Sequence, residues 1–366
     1  MSLDNEVNGV EAGLLDSVLK FMKEQKASDL HLSRGHFVAR IHGDLKPLQG
    51  LPNLTEDQVK AVLAPVAGEA QWAKFLEKKE LDLAYTTPNN DRFRVNMFVQ
   101  RGHISAVFRH IPTEIKSLAE IGMPPKLEDL TTLSRGLVLV TGPTGSGKST
   151  TLAAMVNEIN ERRACHIVTV EDPIEFVYES KAALINQREV GADTETFADA
   201  LKHVLRQDPD VILIGELRDL ETISAALTAA ETGHLVFGTL HTQDAPQTID
   251  RIIDVFPPHQ QALVRTQLST TLKGIVCQNL VKTADGQGRV AATEILFSTP
   301  AIQNLIREGK TFQIPSAMQS SGGMGMQLLD SALAGLVKAG TITVQTALDA
   351  AHDRNSVMQL LPPGTV

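Results

Sequence analysis

The chain has 366 residues, 42% hydrophobic and 21% charged, the composition of a folded globular protein long enough for two or three domains. Lysine plus arginine number 34 against 43 aspartate plus glutamate, a formal net charge of −9. That balance argues against nucleic acid as the main partner, since phosphate backbones are bound by basic surface. The two cysteines, Cys165 and Cys277, form no CxxC pair, so neither a disulfide framework nor a zinc module is expected.

Residues 1–12 are polar and are expected to be a disordered start. They carry Asp4, Glu6 and Glu11 instead of the basic, then apolar, pattern of a signal peptide. No apolar run approaches the roughly 18 residues that span a bilayer, so contact with a membrane is expected only through protein partners. Leu14, Leu15, Val18, Leu19 and Met22 then share one helical face, which suits either a helix covering its own domain or a docking helix. Runs at 30–32, 37–41, 81–85, 93–99 and 104–109 read as short strands, with turn clusters such as Pro88-Asn89-Asn90-Asp91 between them. A helix over 55–63 is expected between them, with Thr55 as its cap. Residues 13–110 are thus an α+β domain, and 111–125, with Pro112, Pro124 and Pro125, read as a linker.

From Gly136 the pattern changes. The runs 137–140, 166–170, 211–214 and 235–238 are continuously apolar, and helical segments alternate with them. This predicts an α/β core over 126–297 with a mostly parallel sheet covered on both faces. A helical region is expected over 298–355, on the spacing of Ile302, Leu305 and Ile306 and of Leu328, Leu329, Leu333 and Leu336, followed by a loose tail at 356–366.

The strongest chemical signal is Gly142-Pro143-Thr144-Gly145-Ser146-Gly147-Lys148-Ser149, then Thr150. It matches GxxxxGK[ST] between a strand and a helix. Glycines let the backbone wrap a phosphate with its N–H groups inward, and the helix adds the positive end of its dipole. Lys148 is expected at the β- and γ-phosphates of ATP, with the Ser149 hydroxyl on Mg²⁺. A second apolar strand ends in Ile214-Gly215-Glu216, which places Glu216 to orient the attacking water. A third ends in Glu171-Asp172-Pro173-Ile174-Glu175; these acids suit either the metal and nucleophile or simply a helix start. His234 and His241 bracket a buried strand at 235–240, and on spacing alone a structural role is open for both.

With these residues in view, the chain resembles the type II/IV secretion ATPase superfamily, most closely its type IV pilus retraction ATPases. The segments carrying the likeness are GPTGSGKST, TVEDPIEF, DPDVILIGELRD and GHLVFGTLHT, in that order, within a match from ASDLHL at Ala27 to GMQLLD at Gly325. The resemblance implies a homohexamer of a PAS-like N-terminal domain and a RecA-like P-loop NTPase core, with ATP between them and their rotation driving a motor. It implies that Glu175 and Glu216 are catalytic acids, that His234 and His241 belong to a functional histidine motif, and that Arg94 and Arg109 stabilise charge on the triphosphate. Without the resemblance, surface ion pairs would be the ordinary reading of those arginines. Retraction ATPases carry an AIRNLIRE helix; here it reads Ala301-Ile302-Gln303-Asn304-Leu305-Ile306-Arg307-Glu308, with Gln303 in place of the arginine. Extension and secretion ATPases commonly carry paired CxxC zinc modules, which this chain lacks. The implied function is pilus retraction and twitching motility, from a cytoplasmic position at the inner-membrane pilus base. The implied partners are a platform protein and a second retraction ATPase. Accessory retraction, assembly or secretion, and a nucleotide-gated scaffold are the alternatives.

Overall fold

The structure, a computed structural model, describes residues 4–25, 27–41, 44–89, 91–111 and 114–362, with the backbone alone for 4–12. The chain divides into two units, 1–113 and 114–366.

The first unit contains helices α1 (Asp4–Glu24) and α2 (Glu56–Lys78) and strands β1 (Asp29–Ser33), β2 (His36–Ile41), β3 (Asp44–Pro47), β4 (Glu80–Thr86), β5 (Arg92–Gln100) and β6 (His103–Ile111). The strands form one antiparallel sheet in the order β3-β2-β1-β6-β5-β4. Leu15, Val18, Leu19 and Met22 of α1 and Val59, Val62 and Leu63 of α2 bury against Leu30, Leu32, Val95, Met97 and Phe108, so the α1 stripe covers its own domain. Thr55 caps α2: its Oγ1 accepts from the Gln58 N–H at 3.3 Å, and Gln58 Oε1 accepts from the Thr55 N–H at 2.9 Å. Two expectations change. Helix α1 starts at Asp4, so the disordered start does not extend over residues 4–12; residues 1–3 lie outside the described ones. Helix α2 runs on past Leu63 across a kink at Gly68, whose φ of 72° is non-helical.

The second unit contains α3 (Glu128–Thr131), β7 (Gly136–Thr141), α4 (Lys148–Arg162), β8 (His166–Glu171), β9 (Leu184–Glu189), α5 (Phe197–Val204), β10 (Val211–Ile214), α6 (Leu220–Glu231), β11 (Leu235–Leu240), α7 (Ala245–Asp254), α8 (Pro258–Thr271), β12 (Leu272–Lys282) and β13 (Arg289–Phe297). Its seven-stranded sheet runs β13-β12-β7-β11-β10-β8-β9. All neighbours are parallel except the β12–β13 pair. Strands β7, β10 and β11 are buried throughout, because two apolar layers cover the sheet. One contains Met155, Val156 and Ile159 of α4; the other contains residues of α5 to α8. The four expected strands are all present. Strand β9 is a partly exposed polar edge strand and shows no apolar run, and β12 follows α8 without a break, so its short apolar run is not set off by a turn.

Helices α9 (Pro300–Arg307), α10 (Ile314–Ser320), α11 (Leu329–Lys338), α12 (Val344–Ala350) and α13 (Arg354–Leu360) complete the unit. The expected linker and tail are corrected here. Ile111 closes β6, and Leu118, Met123 and Leu127 pack into the core beside Val138 and Leu152, so burial ties 114–125 to the second unit despite their prolines. Pro112 lies outside the described residues. In the tail, α13 is capped by Asp353, and Val357 and Leu361 are buried against α11 and β13 residues; only 363–366 lie outside the described residues.

Candidate active site

Parallel strands place their carboxyl ends on one edge, and the register fixes that edge here: Leu240 pairs with Thr141, and Ile214 pairs with both Gly238 and Val170. The phosphate-binding motif, Glu216, the Glu171–Glu175 segment and His241 therefore all leave the sheet on the same side.

The loop after β7 turns through Gly142, Gly145 and Gly147, with φ of 140°, 77° and 90°. Helix α4 starts at Lys148 with Gly147 as N-cap and no side-chain cap. The first N–H groups of the helix thus have neither an intrahelical acceptor nor a capping side chain, and they face the loop with the positive end of the dipole. Lys148 is buried, and its Nζ donates to the carbonyls of Gly142 at 2.9 Å and Pro143 at 3.1 Å. Burial lowers the pKa of its ammonium, against the raising pull of Glu216 and Glu175, so both carboxylates act on this lysine. The Ser146 Oγ is buried beside it without a hydrogen-bond partner. A cavity of about 460 Å³ adjoins the loop, lined by Pro143, Thr144, Asn279, Arg289 and His352 among others.

Glu216 follows β10 through Gly215, where a Cβ would sit 3.2 Å from the Glu171 Cα. Its Oε2 pairs with Arg218 Nη2 at 2.7 Å and its Oε1 with His241 Nε2 at 3.3 Å. Burial pushes the Glu216 pKa up, but the hydrogen bond and charge of Arg218, with His241, hold it below the usual value. It is an anion at neutral pH. Glu171 is almost fully buried, and burial raises its pKa although the Thr169 hydroxyl at 2.7 Å and the Gln187 amide at 3.3 Å donate to it. It also accepts from the Glu175 backbone N–H. Glu171 thus anchors the segment after the cis Asp172–Pro173 bond, leaving Glu175 exposed at its end.

The remaining expected residues lie elsewhere. His234 stands at the amino end of β11, where Gly136 N–H donates to its carbonyl, and its ring Nδ1 lies 2.9 Å from the Ala229 carbonyl. The whole length of β11 separates it from His241, so the structure does not bring the two histidines together. Arg94 and Arg109 belong to the first unit and face one another across β5 and β6. Arg94 is exposed. Arg109 Nε is paired with Asp29 Oδ1 at 2.8 Å.

A family model described as "Type II/IV secretion system protein" matches residues 6–327. The chain belongs to this family. Among type II/IV secretion system proteins, it is similar to the type IV pilus retraction ATPase PilT of Pseudomonas aeruginosa, 52% identical over 92% of this chain and 98% of that one. It is 40% identical to the type IV pilus ATPase PilU of the same organism, over 96% of this chain and 92% of the relative. A crystal structure of the pilus retraction motor PilT with bound ADP aligns with a TM-score of 0.88 at 47% identity, covering 93% of this chain and 98% of that one. The α/β fold is therefore that of a type II/IV secretion ATPase.

Two residues of the candidate site were not legible in the sequence. Arg218 lies inside the Glu216 motif, but only the folded loop shows its guanidinium on the glutamate. Gln278 of β12 is buried; it accepts from Thr151 Oγ1 at 2.7 Å and donates to the Ser146 carbonyl at 2.8 Å. A polar residue inside the apolar run Gly274-Ile275-Val276-Cys277 and its continuation is the one signal that could have flagged it.

Proposed function

We propose that this chain is the ATP-hydrolysing motor of type IV pilus retraction, working as a homohexamer at the cytoplasmic face of the pilus base. One observation carries the ATPase reading: a buried lysine, its ammonium turned onto the glycine-loop carbonyls, stands at an uncapped helix start. A triphosphate replaces the loop carbonyls as the partner of Lys148, and the α4 amides receive its phosphate oxygens. The adjoining cavity leaves room for the nucleoside end.

Mg²⁺ fits the donor set. Ser149 offers a hydroxyl and Glu216 and Glu175 offer carboxylates, all hard oxygen donors of the kind Mg²⁺ takes beside phosphates and water. When bound, it neutralises charge on the β- and γ-oxygens. Glu216, kept anionic, accepts a hydrogen bond from the attacking water and orients it. His241 holds Glu216 at the edge of the sheet, Glu175 acts as a second carboxylate, and Arg94 and Arg109 supply positive charge to the triphosphate. His234, at the opposite strand end, acts away from the reacting phosphate of its own chain.

Retraction is favoured over the accessory role by the higher identity to PilT than to PilU. The partners are an inner-membrane platform protein and a second retraction ATPase. No described helix is long and apolar enough to cross a membrane. The test has two arms. Purified protein hydrolyses ATP and Lys148→Ala does not; equal turnover in both refutes the site. Deleting the gene in the source organism leaves surplus surface pili and no twitching; bald cells refute retraction.

A further inference from the structure

Strand β12 outlasts its neighbour. Thr141, the last residue of β7, pairs with Cys277, and the next residue of β12 is Gln278, still paired with Thr293 of β13. Gln278 therefore sits where the β7 chain has left the sheet to form the phosphate loop. Strand alternation points it away from Cys277, toward the face that Val276 shares with α4.

The contacts are specific at both ends of the side chain. The amide Nε2 donates to the Ser146 carbonyl at 2.8 Å, and Oε1 accepts from Thr151 Oγ1 at 2.7 Å. One buried amide thus joins the middle of the loop to the first turn of α4. The same residue also explains two of the loop glycines. A Cβ on Gly142 would lie 2.2 Å from the Gln278 carbonyl oxygen, and one on Gly147 would lie 2.7 Å from Gln278 Nε2. The loop is packed down onto Gln278 at three points; at Gly142 the obstacle to a side chain is the Gln278 backbone, and at Gly147 it is the Gln278 amide itself.

We infer that Gln278 is a positioning residue for the nucleotide: through the Ser146 carbonyl and the Thr151 hydroxyl it sets the spacing between the phosphate loop and helix α4. The inference rests on the ATPase reading of this loop and adds a residue to it. Gln278 touches no reacting atom. It turns the Ser146 carbonyl back into the protein, so that this acceptor does not face the phosphate oxygens, and it fixes the helix amides relative to the loop amides. Phosphate is held about equally in the ground and transition states by such a cradle, so a looser cradle is read mainly as lost affinity.

The test uses the full chain with mant-ADP as binding probe and ATP as substrate. Gln278→Met keeps the length and removes both polar ends. Gln278→Glu keeps the acceptor for Thr151 and sets a carboxylate oxygen against the Ser146 carbonyl. Thr151→Val is near-isosteric and removes the other link. For Gln278→Met, the mant-ADP Kd and the KM for ATP rise together about tenfold, equivalent to ~1.4 kcal/mol, and by more than kcat falls. Gln278→Glu is weaker still. Thr151→Val shows a smaller rise that does not add to that of Gln278→Met, because the two changes break one linkage. Wild-type Kd and KM in Gln278→Met, with or without a lower melting temperature, overturn the inference and leave Gln278 a packing residue. If Gln278→Met does not fold, Thr151→Val decides, and wild-type affinity there overturns it. A wild-type chain with no mant-ADP affinity would instead sink the ATPase reading itself.

Discussion

Adding one methyl group at Gly142 should cost this protein both stability and nucleotide. Gly142 has φ of 140°, and a Cβ there would lie 2.2 Å from the Gln278 carbonyl and 2.7 Å from Ser146 Oγ. The gap to the carbonyl must open to the 3.0 Å that real Cβ contacts respect. The obstacle is backbone in a strand paired on its other side with β13, so it yields little. Overpacking costs about 1–3 kcal/mol and the strained backbone about 1–3 kcal/mol, together ~2–6 kcal/mol against a typical domain stability of ~5–15 kcal/mol. Gly145→Ala is the control. Its φ is 77° but nothing lies within 4 Å, so it meets backbone strain alone, ~1–2 kcal/mol. The assay is thermal unfolding of both variants, following the transition that Mg-ADP raises, with ATP turnover measured alongside. Gly142→Ala should melt roughly 5–20 °C below wild type and lose turnover, while Gly145→Ala falls by only a few degrees. The reasoning fails if the two variants melt together and Gly142→Ala still turns over ATP.

The other predictions concern charge. Glu216→Ala should still bind mant-ATP but hydrolyse ATP about 10²–10⁴-fold more slowly; wild-type turnover removes Glu216 from the mechanism. The two arginines should separate: Arg109→Ala lowers both turnover and the melting temperature of the first unit, because it removes the closer of the two arginines paired with buried Asp29, whereas Arg94→Ala lowers turnover alone. Equal thermal loss in both would refute this division. Asp29 itself gives a pH signature. Burial raises its pKa, but Ser28 and Arg109 bring it below the ordinary 3.8. Its contribution is therefore complete above that ordinary value and is lost as pH falls through the lower folded one. Asp29→Asn should be less stable by about 1–3 kcal/mol at pH 7, read from urea midpoints, and the difference should narrow once the pH falls below the ordinary 3.8. A constant difference across that range would show that the ion pair is not its source.

Much of the candidate site was legible because each part of it is contiguous in the sequence. The phosphate loop, Glu216 and His241 each follow an apolar run at a strand end, and once those runs form a parallel sheet their ends share an edge. A change of pattern, from short runs separated by turn clusters to continuous apolar runs from Gly136, also set the second unit apart from the first. Their boundaries were not legible. Proline marked 111–125 as linker, yet Leu118, Met123 and Leu127 are held by burial in the second unit, and Val357 and Leu361 hold the tail in the same way. The histidines show the limit from the other side: His234 and His241 look equivalent in the sequence, but a strand carries them to opposite edges of the sheet.

The sequence by itself carried the glycine–lysine loop pattern and the order of motifs that mark the type II/IV secretion ATPases, because local patterns of glycine, lysine and acid are enough to make that signature. Only the tertiary structure decided what stands behind those groups: Gln278 beneath the loop, Arg218 on Glu216, and Asp29 on Arg109. The Gln278 and Asp29 contacts join segments brought together by strand order, and the Arg218 contact depends on the path of its loop, so none of the three is written in the spacing of residues along a single element.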